Sequence, residues 1–150
     1  MIWGAISRNF KSELVLIDGA LTSRRYRDDI LDNHVRPLAE AAGAGRFMLV
    51  DDNARPHRSA LIDQYLGENV IERMVWPAKS PDLNPIEHVW AIMRKRITEL
   101  QQAHHTLQDL RRLIHDAWDS VSIAEINCLL NSMPHRATAV YELEGNHTHY

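Results

Sequence analysis

Two carboxylates stand where metal chemistry would be placed. Asp52 follows directly on the apolar run Phe47-Met48-Leu49-Val50, and Glu87 falls just after the proline-rich stretch from Pro77 to Pro85. Phosphodiester chemistry uses carboxylates from separate elements to hold divalent ions, about 3.5–4 Å apart in two-ion centres. One ion activates the attacking oxygen and the other stabilises the leaving oxygen. Asp52, Glu87 and one further acidic group would make such a cluster. Spacing alone leaves plainer readings open. An Asp after a strand also caps a turn, and a Glu at the third helical position also completes a capping box. Asp51 is expected to be a supporting or solvent-exposed neighbour, because consecutive strand residues point to opposite faces.

The elements that must position these groups follow from the hydrophobic pattern. Ile2–Ser7 and Glu13–Ile17 read as two strands around a polar turn, hence a hairpin. Thr22 can cap a helix running to about Ala42, with Pro37 expected to kink or divide it and Gly43 to end it. Phe47–Val50 reads as a buried central strand, Ser59–Glu68 as a helix and Val70–Trp76 as another strand. Asn84 at N-cap, Pro85 at the first position and Glu87 at the third mark the start of a helix carrying Ile86, Val89, Trp90, Met93 and Ile97 on one face. Two further amphipathic helices follow Thr106, and Pro134–Tyr150 reads as a polar, irregular tail. Trp3, Trp90, Trp118 and Cys128 are expected in the core. The sum is an α/β pattern with a mixed sheet, in which chemistry gathers at the carboxyl ends of central strands.

Composition narrows the classes of function. The chain has 150 residues, with 17 Lys and Arg against 20 Asp and Glu, a formal charge of −3. Overall charge therefore gives no argument for nucleic-acid binding. No apolar run approaches the roughly 18–20 residues needed to span a bilayer, so no membrane partner is expected. The start lacks a basic segment followed by an apolar one, so no secretory signal is read. The single cysteine excludes an internal disulfide framework. Asn146-His147-Thr148 matches a glycosylation acceptor and is expected to stay unmodified without a signal peptide.

Two stretches go beyond spacing. Asp51-Asp52-Asn53-Ala54-Arg55-Pro56-His57 and Trp76-Pro77-Ala78-Lys79-Ser80-Pro81-Asp82-Leu83-Asn84-Pro85-Ile86-Glu87 closely resemble two motifs of the Tc/mariner transposases. Ile2-Trp3-Gly4-Ala5-Ile6-Ser7, Leu16-Ile17-Asp18-Gly19 and Ser132-Met133-Pro134-His135-Arg136 resemble further parts of that family, so the likeness covers nearly the whole chain. The resemblance implies a ribonuclease-H-like mixed sheet flanked by helices, with a catalytic core over 1–97 and a helical C-terminal extension over 98–150. It makes Asp52 and Glu87 the second and third catalytic, metal-holding carboxylates, with 34 residues between them, the spacing of the Tc branch. Magnesium is the implied cofactor, with manganese as a substitute. The implied partners are transposon-end and target DNA, with a homo-oligomer or a complementing transposase chain, acting in the nucleus.

The family's first catalytic Asp lies on a strand ahead of the Trp-Gly strand at which this chain begins. The expectation is therefore a chain lacking the first, central strand and holding two of three carboxylates, inactive alone. Arg55, His57, Arg58, Lys79, Arg94 and Lys95 are the candidates for DNA contact. Solvated surface charge or turn formation is the plainer alternative for each. A non-catalytic DNA-binding or protein-interaction remnant is the competing function, and a dimerising module built from the C-terminal helices is a third.

Overall fold

The structure, a computed structural model, describes residues 1–43, 45–77, 80–100 and 106–143. It divides into two compact units, residues 17–79 and residues 1–16 with 80–150.

The second of these begins with the expected hairpin. Strand β1 (Ile2–Trp3) pairs antiparallel with β4 (Val15–Leu16), and β2 (Ile6–Ser7) with β3 (Phe10–Lys11) across a two-residue turn in which Asn9 takes a φ of 64°. Two residues separate β1 from β2 and three separate β3 from β4, so the hairpin carries one extra residue, a β-bulge. Ser12 closes it: its N–H donates to the Ala5 carbonyl at 2.9 Å and its Oγ accepts the Ala5 N–H at 2.8 Å. A Cβ on Gly4 would meet Trp118 Cη2 at 2.8 Å, so only glycine lets the hairpin lie on that ring.

Four α-helices follow among the described residues of this unit. They are α4 (Pro85–Glu99), α5 (Leu107–Ser120), α6 (Ile123–Asn131) and α7 (Met133–Glu142). Their core gathers Leu14, Val89, Met93, Ala117, Trp118, Val121 and Ile126. Trp118 stacks on Trp90 with ring centroids 5.4 Å apart and donates its Nε1–H to the Ser12 carbonyl at 2.9 Å. Lys11 reaches from the hairpin to the end of α5, donating to the carbonyls of Trp118 at 2.7 Å, Asp119 at 3.2 Å and Val121 at 2.8 Å. Arg96 of α4 donates to Ser120 Oγ and pairs with Glu125, tying three helices together. Capping boxes open α5 at Thr106 and α6 at Ser122.

In the unit of residues 17–79, Thr22 caps as expected, accepting the Arg25 N–H at 3.3 Å. The helix runs as α1 (Ser23–Arg25), a π-helical stretch (Tyr26–Val35) and α2 (Arg36–Ala42). It is not broken at Pro37; it narrows from π to α at Arg36, beside the residue that has no N–H to give. Gly43, at φ 82°, ends it. Strand β5 (Met48–Leu49) runs parallel to β6 (Glu72–Arg73), with α3 (Ala60–Glu68) as the crossover. The core is Ile17, Tyr26, Ile30, Leu31, Val35, Ile62, Leu66 and Ile71.

Four local expectations are corrected. Strand β5 is not buried on both faces: Met48 is 51% and Val50 44% exposed. Among the described residues it pairs only with β6, and the face carrying Met48 and Val50 is left open to solvent. The described strands form three separate two-stranded ladders. Residues 133–142 are helical, because Pro134 sits in the first turn, where a missing N–H costs nothing. Cys128 is exposed: Ile126 takes the inward face of α6, two residues away. Among the described residues no helix is long and apolar enough to cross a membrane. His104, His105 and the 146–149 stretch lie outside the described residues.

Candidate active site

The loop after β5 separates its two aspartates by the alternation of the strand it leaves. Asp51 turns inward, its side chain only 6% exposed, whereas that of Asp52 is 58% exposed. The expectation that Asp51 would be supporting or exposed resolves to supporting. Arg58 Nη1 donates to Asp51 Oδ1 at 2.7 Å, and the Tyr26 hydroxyl donates to Asp51 Oδ2 at 3.2 Å. Burial first, then the Asp51 charge and hydrogen bond, push the Tyr26 phenol well above its ordinary range, so it remains a donor.

The same cluster holds His57. Its ring stacks on Tyr26 with centroids 4.0 Å apart, and its backbone carbonyl accepts from Arg73 at 2.9 Å. His57 Nδ1 stands 2.8 Å from Asp52 Oδ1 and 4.0 Å from Asp51 Oδ2. The nitrogen is buried and has no aligned hydrogen bond, so this is a close approach of donor and charge rather than a formed bond. Asp52 Oδ1 also accepts the Ala54 N–H at 2.9 Å, so the turn-capping reading holds for that oxygen. No described residue donates to its Oδ2. Asn53 donates to the Trp76 carbonyl at 2.9 Å and accepts from Arg58 at 3.0 Å.

Glu87 is set by the loop before it. Pro81–Leu83 makes one 3-10 turn, the Asn84 N–H donates to the Pro81 carbonyl at 2.9 Å, and Asn84 Oδ1 accepts the Ile86 N–H at 3.3 Å. Asn84 is thus the predicted cap of α4. The capping-box reading of Glu87 is not realised. Its carboxylate is exposed and makes no hydrogen bond or ion pair with a described residue, unlike the N3 acids of α5 and α6. From α7, the buried Arg136 donates to the Asp82 carbonyl at 3.2 Å. Burial, then the Arg136 charge, lower the pKa of His88 next to Glu87.

The remaining candidates divide. Arg55 and Arg94 are exposed with no ion pair to a described residue, and exposed Lys95 lies 3.8 Å from Glu99. Arg58 is turned inward on Asp51 and Asn53. Lys79 lies outside the described residues. Reading by residue type did not single out Tyr26, Arg73 or Arg136. Two signals were available: Tyr26 heads an apolar helical stripe with Ile30, and Arg136 ends the Ser132–Arg136 stretch that resembles the family.

Asp52 and Glu87 belong to different compact units. Within either unit, no three described His, Cys, Asp or Glu side chains gather to hold a metal ion. The carboxylates of Asp52 and Glu87 are exposed, and their oxygens are hard donors of the kind magnesium and manganese take.

Residues 1–114 match the family of DDE superfamily endonucleases. The Tcb1 transposase of Caenorhabditis briggsae is 33% identical over 150 residues, all of this chain and 54% of that protein. The chain spans about half the length of the curated relatives it matches. A structure of the Mos1 transposase catalytic domain with raltegravir and magnesium superposes with a TM-score of 0.83 at 16% identity, over 98% of this chain and 76% of that one. A Mos1 paired-end complex with the left transposon end gives 0.73 at 18% identity, over 90% of this chain and 40% of that one. The ribonuclease-H-like fold read from the sequence is thereby shown.

Proposed function

This chain belongs to the DDE superfamily of endonucleases, and from that premise we propose that it works in a Tc/mariner-type transposase centre, cleaving DNA strands and transferring them with Asp52 and Glu87 as metal-holding carboxylates. The observation that carries this reading is the outward exposure of both groups. Asp52 is the outward member of its pair, and Glu87 is spared the capping role its position invites. Both lie within the stretch matched to the family.

Asp52 and Glu87 would hold one magnesium or manganese ion, which would supply one of the two roles of a two-ion centre, activation of the attacking oxygen or stabilisation of the leaving oxygen. The protein's own contribution is placement and charge. Asp51 is spent on Tyr26 and Arg58, which leaves Asp52 as the outward acid, while His57 stands against its Oδ1. Exposed Arg55 and Arg94, with Lys79 and Lys95, are the groups proposed to meet DNA phosphates; Arg58 and His57 sit closer to the carboxylate and serve DNA through it. The Mos1 paired-end complex supports DNA and a second chain as partners, with nuclear DNA as the place of action.

The test is nicking of supercoiled plasmid by the purified 150-residue chain with magnesium or manganese. Two of three carboxylates are expected to leave the chain inactive alone; if it does cleave, cleavage must need the ion and vanish in Asp52→Asn and in Glu87→Gln. An intact plasmid under both ions rejects catalysis by this chain alone. Salt-sensitive DNA retention that survives both substitutions would then establish the non-catalytic remnant instead.

A further inference from the structure

Among the described residues Arg136 is the most deeply buried charged residue, at 2% exposure. It lies on α7, beyond residues 1–114, and closes the Ser132–Arg136 stretch that resembles the family. A buried guanidinium is costly unless its donors are used. Its Nε donates to Ser132 Oγ at 2.9 Å, one turn back on its own segment, and its Nη1 donates to the Asp82 carbonyl at 3.2 Å, 54 residues away in sequence.

The second bond falls in the turn that delivers Glu87. From Asp82 the connections run without a gap. The Asn84 N–H returns to the Pro81 carbonyl at 2.9 Å, Asn84 Oδ1 takes the Ile86 N–H at 3.3 Å, and the Glu87 N–H donates to the Asn84 carbonyl at 3.1 Å. Pro81 and Pro85 bracket this run and fix φ at both ends, so it shifts as a piece rather than bending internally. A piece that moves as one is set by wherever it is held. Glu87 itself, exposed and free of the capping box, has no hold of its own beyond the helix backbone.

We propose that Arg136 is a positioning residue for Glu87, the C-terminal helix clasping the proline turn that aims the third carboxylate. The inference rests on the reading of Glu87 as a metal-holding group. It assigns to α7 a part in the active site that its distance in sequence conceals.

The experiment compares the full chain with Arg136→Met, Arg136→Lys and Glu87→Gln by amide hydrogen exchange and by manganese titration. In Arg136→Met the amides of Asn84, Ile86 and Glu87 should exchange at least about tenfold faster, the factor that accompanies loss of one charged hydrogen bond. Those of Leu113–Trp118 in α5 should keep their protection. Manganese affinity should fall several-fold, and Arg136→Lys, which keeps the charge but not the two-armed geometry, should lie between.

Unchanged exchange at residues 84–87 overturns the proposal. So does an equal rise throughout α5, which would make Arg136 a general prop of the fold. Should Arg136→Met fail to fold, Arg136→Lys alone must show the local pattern or the proposal falls. Altered exchange with wild-type manganese affinity also overturns it, provided Glu87→Gln does lose the ion. If Glu87→Gln binds manganese like the parent chain, the reading of Glu87 fails separately, and positioning of a metal-holding group falls with it.

Discussion

At the scale of single residues, two adjacent aspartates do different work, and substitution should separate them. Asp51 is enclosed and holds Arg58 and Tyr26; Asp52 is open and holds only a local turn and the flank of His57. Asp51→Asn should cost about 1–3 kcal/mol, since it weakens the pairing of a largely enclosed guanidinium. Asp52→Asn should shift stability by no more than about 0.5 kcal/mol, as exposed substitutions do, while weakening manganese binding. Urea denaturation and manganese titration on the same two proteins decide this. Tyr26 adds a pH signature. Its folded pKa is raised above the ordinary value of 10.0, so the native state favours the protonated phenol. The stabilisation is fully present below pH 10.0 and is lost as pH rises towards the folded pKa. Tyr26→Phe should flatten that alkaline loss in denaturation profiles taken from neutral pH upward. A wild-type slope in the variant would assign the loss to other groups.

At the scale of elements, the bulged hairpin is a clamp on α5. Gly4 lets it lie on Trp118, and Lys11 caps the last carbonyls of the helix, where a positive charge is favoured by the helix dipole. Gly4→Ala would drive a methyl to 2.8 Å from the ring and should cost about 1–3 kcal/mol through overpacking. Lys11→Met, which keeps the stem and removes the charge, should cost about 1–3 kcal/mol as three carbonyls lose their donor. Thermal denaturation of the two variants, with tryptophan fluorescence reporting the Trp90–Trp118 pair, checks both. A Gly4→Ala protein with the wild-type transition would show that the ring yields at no cost.

At the scale of the whole molecule, the proposed function requires two carboxylates from separate compact units to share one ion. That sharing has a thermodynamic mark. If Asp52 and Glu87 hold the same manganese, Asp52→Asn and Glu87→Gln should each weaken binding, and the double variant should lose less than the two losses together. Full additivity in calorimetric titrations would place them on separate ions and remove the basis of the catalytic reading. A chain about half as long as its curated relatives can be examined in this way without assuming their activity.

What could be read from the residues themselves was whatever depends on near neighbours in the chain. Asn84 and Pro85 announce the start of α4 because an N-cap side chain and a first-turn proline act within three residues. Thr22 does the same for the helix after it, and the two motif stretches placed Asp52 and Glu87 in their family. What only the folded molecule decided depends on partners far away. The enclosure of Asp51 needed Tyr26, 25 residues earlier. The freedom of Glu87 was not legible from a position that equally suits a capping box. The wet face of β5 followed from what the fold leaves uncovered there, and the setting of Arg136 from a carbonyl 54 residues upstream. Local hydrogen bonds are written into adjacent residues, whereas burial is a property of whatever the rest of the chain brings to the same place.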